Sequence, residues 1–354
     1  VKRVAFFTLA VIMAMVIIAT GCQSDTSSPE SSPESSEPAE SESFEPIELK
    51  LSIDLPEGTD FANAAYKMAE NVADRTDGRY IINVHAGGTL CSHAELFNMM
   101  ESGAVEMGES PIEYQADADR RFMAIQLPFL FNSIEANYKF TQLIHENLFN
   151  DILAEKFNVM PIASFSTGVH QYYGTNAAVQ TLDDWKGKLI WTANPLSANA
   201  AAALGGSPVS LEFWDGYPSL QKGTVDAAIN IIPFAVLTFE WYDSIKYITV
   251  CNLFGSSSNI YINLDVFNAM PEDVQMVFLE EAEKLEEEMQ AIYAGHQVNA
   301  LEELINYGVT VYQLPEDERA RWIEATEPVY EDYFGQLDPA DIEIIMDCAA
   351  QANE

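Results

Sequence analysis

Between Pro271 and Asn306 the chain reads PEDVQMVFLEEAEKLEEEMQAIYAGHQVNALEELIN, with Val274, Phe278, Leu285, Met289 and Ile292 near helical spacing. Proline and acids in its first turn suit a helix start. At 1.5 Å per residue such a helix runs about 50 Å, longer than one small lobe. The segment therefore reads as a single helix spanning two lobes.

Upstream of it, strand-like and helix-like periods alternate, which is the pattern of an α/β protein. ELKLSIDL (48–55) alternates Leu49, Leu51, Ile53 and Leu55 with other residues, and DFANAAYKMAENVADRTDG (60–78) follows with helical spacing and a glycine stop. YIINVHAGG (80–88) reads as the next strand, AELFNMMESG as a helix and VEMGES as a short strand. VMPIASFSTG (159–168), GKLIWT, SPVSL, VDAAINI and YITVCNLFG are further strand candidates. No internal repeat is visible. The roughly 300 residues that follow the N-terminal region are enough for two lobes.

The N-terminus, VKRVAFFTLAVIMAMVIIATGCQ, has the basic residues Lys2 and Arg3, an apolar run from Val4 to Ile18, and then Ala19-Thr20-Gly21-Cys22. This is the layout of a secretory signal. The run is short for a membrane span and lacks a flanking charge. Its last four residues resemble the lipobox of bacterial lipoproteins, which implies that Cys22 is acylated and begins the mature chain. QSDTSSPESSPESSEPAESESFEP then carries four prolines, seven acids and no base. Such a composition cannot bury enough apolar area to fold and reads as a disordered tether. Its reach by random-coil scaling is roughly 25–30 Å.

A net charge of −38, with 17 basic residues against 55 acids, excludes nucleic acid and electrostatic membrane docking as partners. Cys91, Cys251 and Cys348 are odd in number and widely spaced, so buried free thiols are expected rather than a disulfide framework. No Gly-x-Ser-x-Gly elbow, phosphate loop or metal constellation is present, so the expectation is a binding protein without cofactor or metal.

Five segments, in order, resemble the extracytoplasmic solute-binding proteins of tripartite ATP-independent periplasmic (TRAP) transporters, the DctP-type family. They are AGGTLCSHAELFNMMESGAVEMGES, Gln-Leu-Pro-Phe-Leu-Phe (126–131), TLDDWKGKLIW, WDGYPSLQKGTVDAAIN and YDSIKYIT. The resemblance implies a two-lobed, venus-flytrap α/β fold with a helix crossing both lobes. It also implies a small organic solute closed between them and delivery to a membrane permease. The division it suggests is 1–21 as signal peptide and 22–46 as lipidated cysteine and tether. Residues 48–167 with 257–296 would form one lobe, and 168–256 with 297–345 the other. Bending is expected near 165–170 and 253–258. A monomer anchored outside the cell membrane by Cys22 is the expected form.

Where the family pattern Lys-Ile-Arg puts an arginine that clamps a substrate carboxylate, this chain has Trp191. His170 occupies a second, frequently basic position, and Thr89 replaces a glutamine. By the same transfer the cleft would be lined by Asp54, Thr89, Glu109, Ser110, His170, Tyr172, Trp191, Asn194, Trp214, Asp215 and Asn230. Few bases, several acids and several aromatics suit an amine-bearing or aromatic solute. The alternatives are a carboxylate receptor with a relocated clamp, for which Arg120, Arg121 or Lys188 could serve, and a ligand-sensing surface lipoprotein. Each residue also has a plainer reading. Trp191 and Trp214 could be packing, Asp215 could cap a helix, and His85, His93 and Glu95 could be close only in sequence.

Overall fold

The computed structural model describes residues 45–354. Nine strands form one sheet: β1 (Ile47–Ser52), β2 (Tyr80–His85), β3 (Met107–Ser110), β4 (Val159–Gly174), β5 (Leu189–Thr192), β6 (Ser207–Ser210), β7 (Ala227–Ala228), β8 (Tyr247–Asn263) and β9 (Thr310–Gln313). Their order is β2-β1-β3-β8-β4-β7-β5-β6, with β9 also paired to β8. β1 pairs in parallel with β2 and β3, and β5 in parallel with β6 and β7, so each end of the sheet is a parallel block.

β4 and β8, 16 and 17 residues long, join these blocks. They pair antiparallel from Val159 opposite Asn263 to Gly174 opposite Tyr247, with register shifts at Pro161/Ala163, Ser166/Gly168 and His170/Tyr172. Both are longer than the separate strands legible in the sequence, because their alternation is broken at these shifts. Gly168 has φ of 133°, and a Cβ there would lie 2.5 Å from Gln297 Oε1, so this bulge needs glycine. Buried Asn137 holds the same place: its amide nitrogen lies 2.7 Å from Ser166 Oγ, 2.9 Å from Gly168 O and 2.6 Å from Ser256 O.

Three apolar clusters cover the sheet. The largest lies beneath the helices Ile134–Ile144, Pro195–Ala203, Glu316–Phe334 and Pro339–Ala352 and includes Phe122, Phe140, Trp185 and Trp322. The second packs the helix Asp60–Arg75 and most of the helix Glu272–Asn306 against β1, through Leu51, Phe61, Phe165, Phe278 and Tyr293. The third, at the β5 end, contains Tyr173, Trp191, Leu220, Trp241 and Leu304.

The helix Glu272–Asn306 starts after Pro271 and is 35 residues long. Phe278, Leu285 and Met289 enter the second cluster and Leu304 the third, so it does cross both ends of the molecule. Glu286 Oε2 and Gln290 Oε1 accept from the backbone N–H of Ser164 and Ser166 at 2.7 and 2.9 Å. The helix thereby satisfies β4 backbone groups at the crossover. The two C-terminal helices had no counterpart in the sequence reading. Cys91, Cys251 and Cys348 are free and buried.

Leu304→Ala should destabilise the fold by about 2–5 kcal/mol, because it empties the contact through which the long helix enters the third cluster. Urea unfolding monitored by Trp fluorescence measures this.

Candidate functional site

Two groups of predicted residues are brought together around the middle of the sheet. In the first, Asp54 leaves β1 and faces His93, with Asp54 Oδ2 3.5 Å from Nε2. His93 Nδ1 lies 3.8 Å from Glu109 Oε2 and 3.3 Å from the Glu109 carbonyl. The His93 ring sits 5.0 Å from that of Tyr114. Glu109, on β3, also accepts from Ser258 Oγ.

The second group centres on Gln126, which is 1% exposed. Its Nε2 donates to Gly255 O at 2.7 Å and to Glu113 Oε1 at 3.2 Å. Its Oε1 accepts from Asn194 Nδ2 at 3.4 Å and Asn230 Nδ2 at 3.3 Å. Asn194 Oδ1 caps the helix Pro195–Ala203 through Ser197 N, and Asn230 Oδ1 accepts from Ala193 N at 3.0 Å. The Gln126 amide therefore ties residues from both ends of the sheet to the long strand β8.

Tyr114 connects the groups. Tyr114 is 40% exposed, yet desolvation of its phenol raises the pKa, and the charges of Glu113, Asp54, Glu109 and Glu212 raise it further. Burial pushes the Glu113 carboxyl up to about 8, partly opposed by its backbone bond and by Gln126. Burial also raises Glu109, against the pull of His93 and Ser258. Among the described residues no Lys or Arg forms an ion pair with Asp54, Glu109 or Glu113.

The remaining predicted residues are placed as follows. Ser110 is buried and its hydroxyl donates to Pro111 O, while exposed Thr89 bonds to Ala86 O. His170 is buried beside Phe254, and burial lowers its pKa to about 3, so it is neutral. Tyr172 packs on Trp185 in the largest cluster. Trp214 is half exposed and touches Phe213 and Phe239. Asp215 is exposed in the first turn of the helix Phe213–Lys222, where it makes no capping bond.

Trp191 is fully buried in the third cluster. Its indole N–H donates to Leu211 O at 3.1 Å, and its ring packs on Phe213 and Trp241. A Cβ at Gly216 would lie 2.5 Å from the ring, so the helix backbone sits flush on the indole. This geometry is that of packing, not of a wall open to a solute. Arg121 is paired with Asp119 and Asp341, while Arg120 is exposed and lies against Gln336.

His93, Glu113, Tyr114 and Gln126 were not among the predicted site residues. Gln126 opens the Gln-Leu-Pro-Phe-Leu-Phe segment, but nothing in the sequence shows which way its amide points. A surface depression of about 470 Å³ beside the long helix, between Val169, Val250, Gln297 and Leu301, shares no residue with these groups.

The model of the bacterial extracellular solute-binding protein family 7, DctP, matches residues 51–336. The chain belongs to this family. Membership makes it an extracellular solute-binding protein. It is similar to a solute-binding protein of Chromohalobacter salexigens, 24% identical over 283 residues, covering 78% of this chain and 81% of the relative. It is also similar to the C4-dicarboxylate-binding periplasmic protein DctP of Rhodobacter capsulatus, 25% identical over 291 residues, covering 81% of this chain and 86% of the relative. A Chromohalobacter salexigens TRAP periplasmic solute-binding protein, solved with bound d-glucuronate, superposes with a TM-score of 0.78 at 20% identity. That match covers 86% of this chain and 99% of the other, and it shows the two-lobed fold. Among the described residues no helix is long and apolar enough to cross a membrane.

Trp191→Ala should cost about 3–5 kcal/mol of stability, as for other large buried aromatics. Glu113 gives a second test. Its folded carboxyl holds the proton up to about 8, so its contribution to stability is complete below the ordinary carboxylate range and is lost as pH rises to about 8. The melting temperature of Glu113→Gln should therefore match wild type near about pH 4 and exceed it by several degrees above about pH 8. Thermal melts across that range measure the difference.

Proposed function

We propose that this receptor captures a small organic solute bearing an amine or an aromatic ring and delivers it to a TRAP permease. The supporting observation is the charge of the site: Asp54, Glu109 and Glu113 gather around His93 and Tyr114, and no Lys or Arg pairs with them. Trp191 stands where the family pattern has its carboxylate-clamping arginine, and its indole is used in packing. The faces of His93 and Tyr114 suit a cation or a flat ring. In this reading Asp54, Glu109, Asn194 and Asn230 contact solute together with His93, Glu113, Tyr114 and Gln126. Thr89, Ser110, His170, Tyr172, Trp214 and Asp215 line or support the cleft.

The two lobes would divide where β4 and β8 cross, near 165–170 and 253–258. Contacts from both lobes to the solute favour the closed form. The signal peptide, the acylated Cys22 and the acidic tether up to residue 44 lie outside the described residues. They complete the proposal of a monomeric receptor held at the outer face of the cell membrane, for which two or more acyl chains give stable anchoring. A carboxylate receptor is the second reading, favoured by the name of the Rhodobacter capsulatus relative and the glucuronate bound to the structural neighbour.

Mass spectrometry of solute copurified with the protein, followed by calorimetry, tests the class. Amines or aromatic amines should bind, while succinate and d-glucuronate should not. Tight binding of either acid would overturn the amine reading in favour of the second.

A further inference from the structure

Two carboxyl groups of the site each have a buried oxygen with no hydrogen-bond partner in the protein, Oε2 of Glu109 and Oε2 of Glu113. Glu109 is only 3% exposed. Its other oxygen accepts from Ser258, and that of Glu113 accepts from Gln126. The unpartnered atoms are thus held in place by neighbours that do not satisfy them.

The groups around the pair come from several elements. Asp54 follows β1, His93 lies in the turn after β2, and Tyr114 follows Glu113 itself. Tyr261 on β8 feels the charge of both carboxyls, and Tyr293 of the long helix that of Glu109. Glu212 acts on Tyr114 from beyond β6. Of all these, His93 alone can carry a positive charge. Burial holds the Glu113 carboxyl in its protonated form up to about 8, and it raises Glu109 against the pull of His93.

We propose that Glu109 and Glu113 form an ammonium receptor, and that a cationic solute entering it expels a proton. The inference rests on the amine reading above. An O–H bond of one carboxyl breaks and its electron pair stays on the oxygen. The proton passes to solvent buffer, and the carboxylate formed pairs with the solute ammonium. Nothing is oxidised or reduced, and one positive charge replaces another. Two N–H groups of the ammonium would find acceptors in the unpartnered oxygens of Glu109 and Glu113, and such hydrogen bonds are what make a buried ion pair favourable.

Calorimetry of the chain with tyramine, putrescine, d-glucosamine and d-glucuronate, in phosphate and in Tris at about pH 7, reads proton exchange directly. At least one of the three amines should bind with release of about one proton, its affinity rising by up to ~10-fold per pH unit between about pH 6 and about pH 8. Glu113→Gln should abolish most of the release, flatten that pH dependence and weaken the amine about tenfold, with thermal melts confirming its fold. An amine that binds without proton release, or equally well to Glu113→Gln, would overturn the inference and leave the amine reading standing. Binding of d-glucuronate alone, or of none of the four, would overturn both.

Discussion

The antiparallel pairing of β4 with β8 is the constraint on which the rest of the molecule depends. These strands alone run through both parallel blocks of the sheet, so they set how one end lies against the other. Their register shifts, the glycine at 168 and the amide of Asn137 concentrate irregularity in one short stretch. A bulge loosens the ladder and re-aims the chain, so this is where a continuous sheet bends most readily. The long helix lies over the same stretch and accepts from its backbone N–H groups, which ties the crossover to the second and third apolar clusters.

The site sits beside that crossover and inherits its geometry. Gln126 reaches Gly255 on β8 with its amide nitrogen and the two asparagines of the β5 end with its oxygen. All four hydrogen-bonding positions of this amide are used, so its orientation is fixed by the fold and it presents Glu113 in one pose. Around it the electrostatics are one-sided, since the carboxyls of Asp54, Glu109 and Glu113 share only His93 as a nearby base. Family membership establishes a solute receptor, and it leaves the solute's chemistry to these side chains.

Much of this was legible in the sequence. Apolar spacing after Pro271 marked a helix too long for one lobe, and Glu272–Asn306 has the bounds that spacing gave. The alternation of periods marked the α/β class, and ordered local motifs marked the family. Asp54 and Glu109 came from the family resemblance, which put them at strand ends. Trp191 remained ambiguous, because an aromatic at a strand end packs inward or faces a cleft according to the strand's alternation and what lies above it. Here Ile190 faces the largest cluster and Trp191 the third, under Gly216.

The sequence by itself determined the class of the fold, the spanning helix, the acidity and the absence of an arginine at position 191, because periodicity, composition and residue identity are local properties. Only the tertiary structure decided that His93 stands between Asp54 and Glu109, that Gln126 joins Glu113 to Asn194 and Asn230, and that Trp191 is buried in packing. Those contacts join residues that are tens to more than a hundred positions apart. Their formation depends on strand register, bulges and helix placement, which no local pattern encodes.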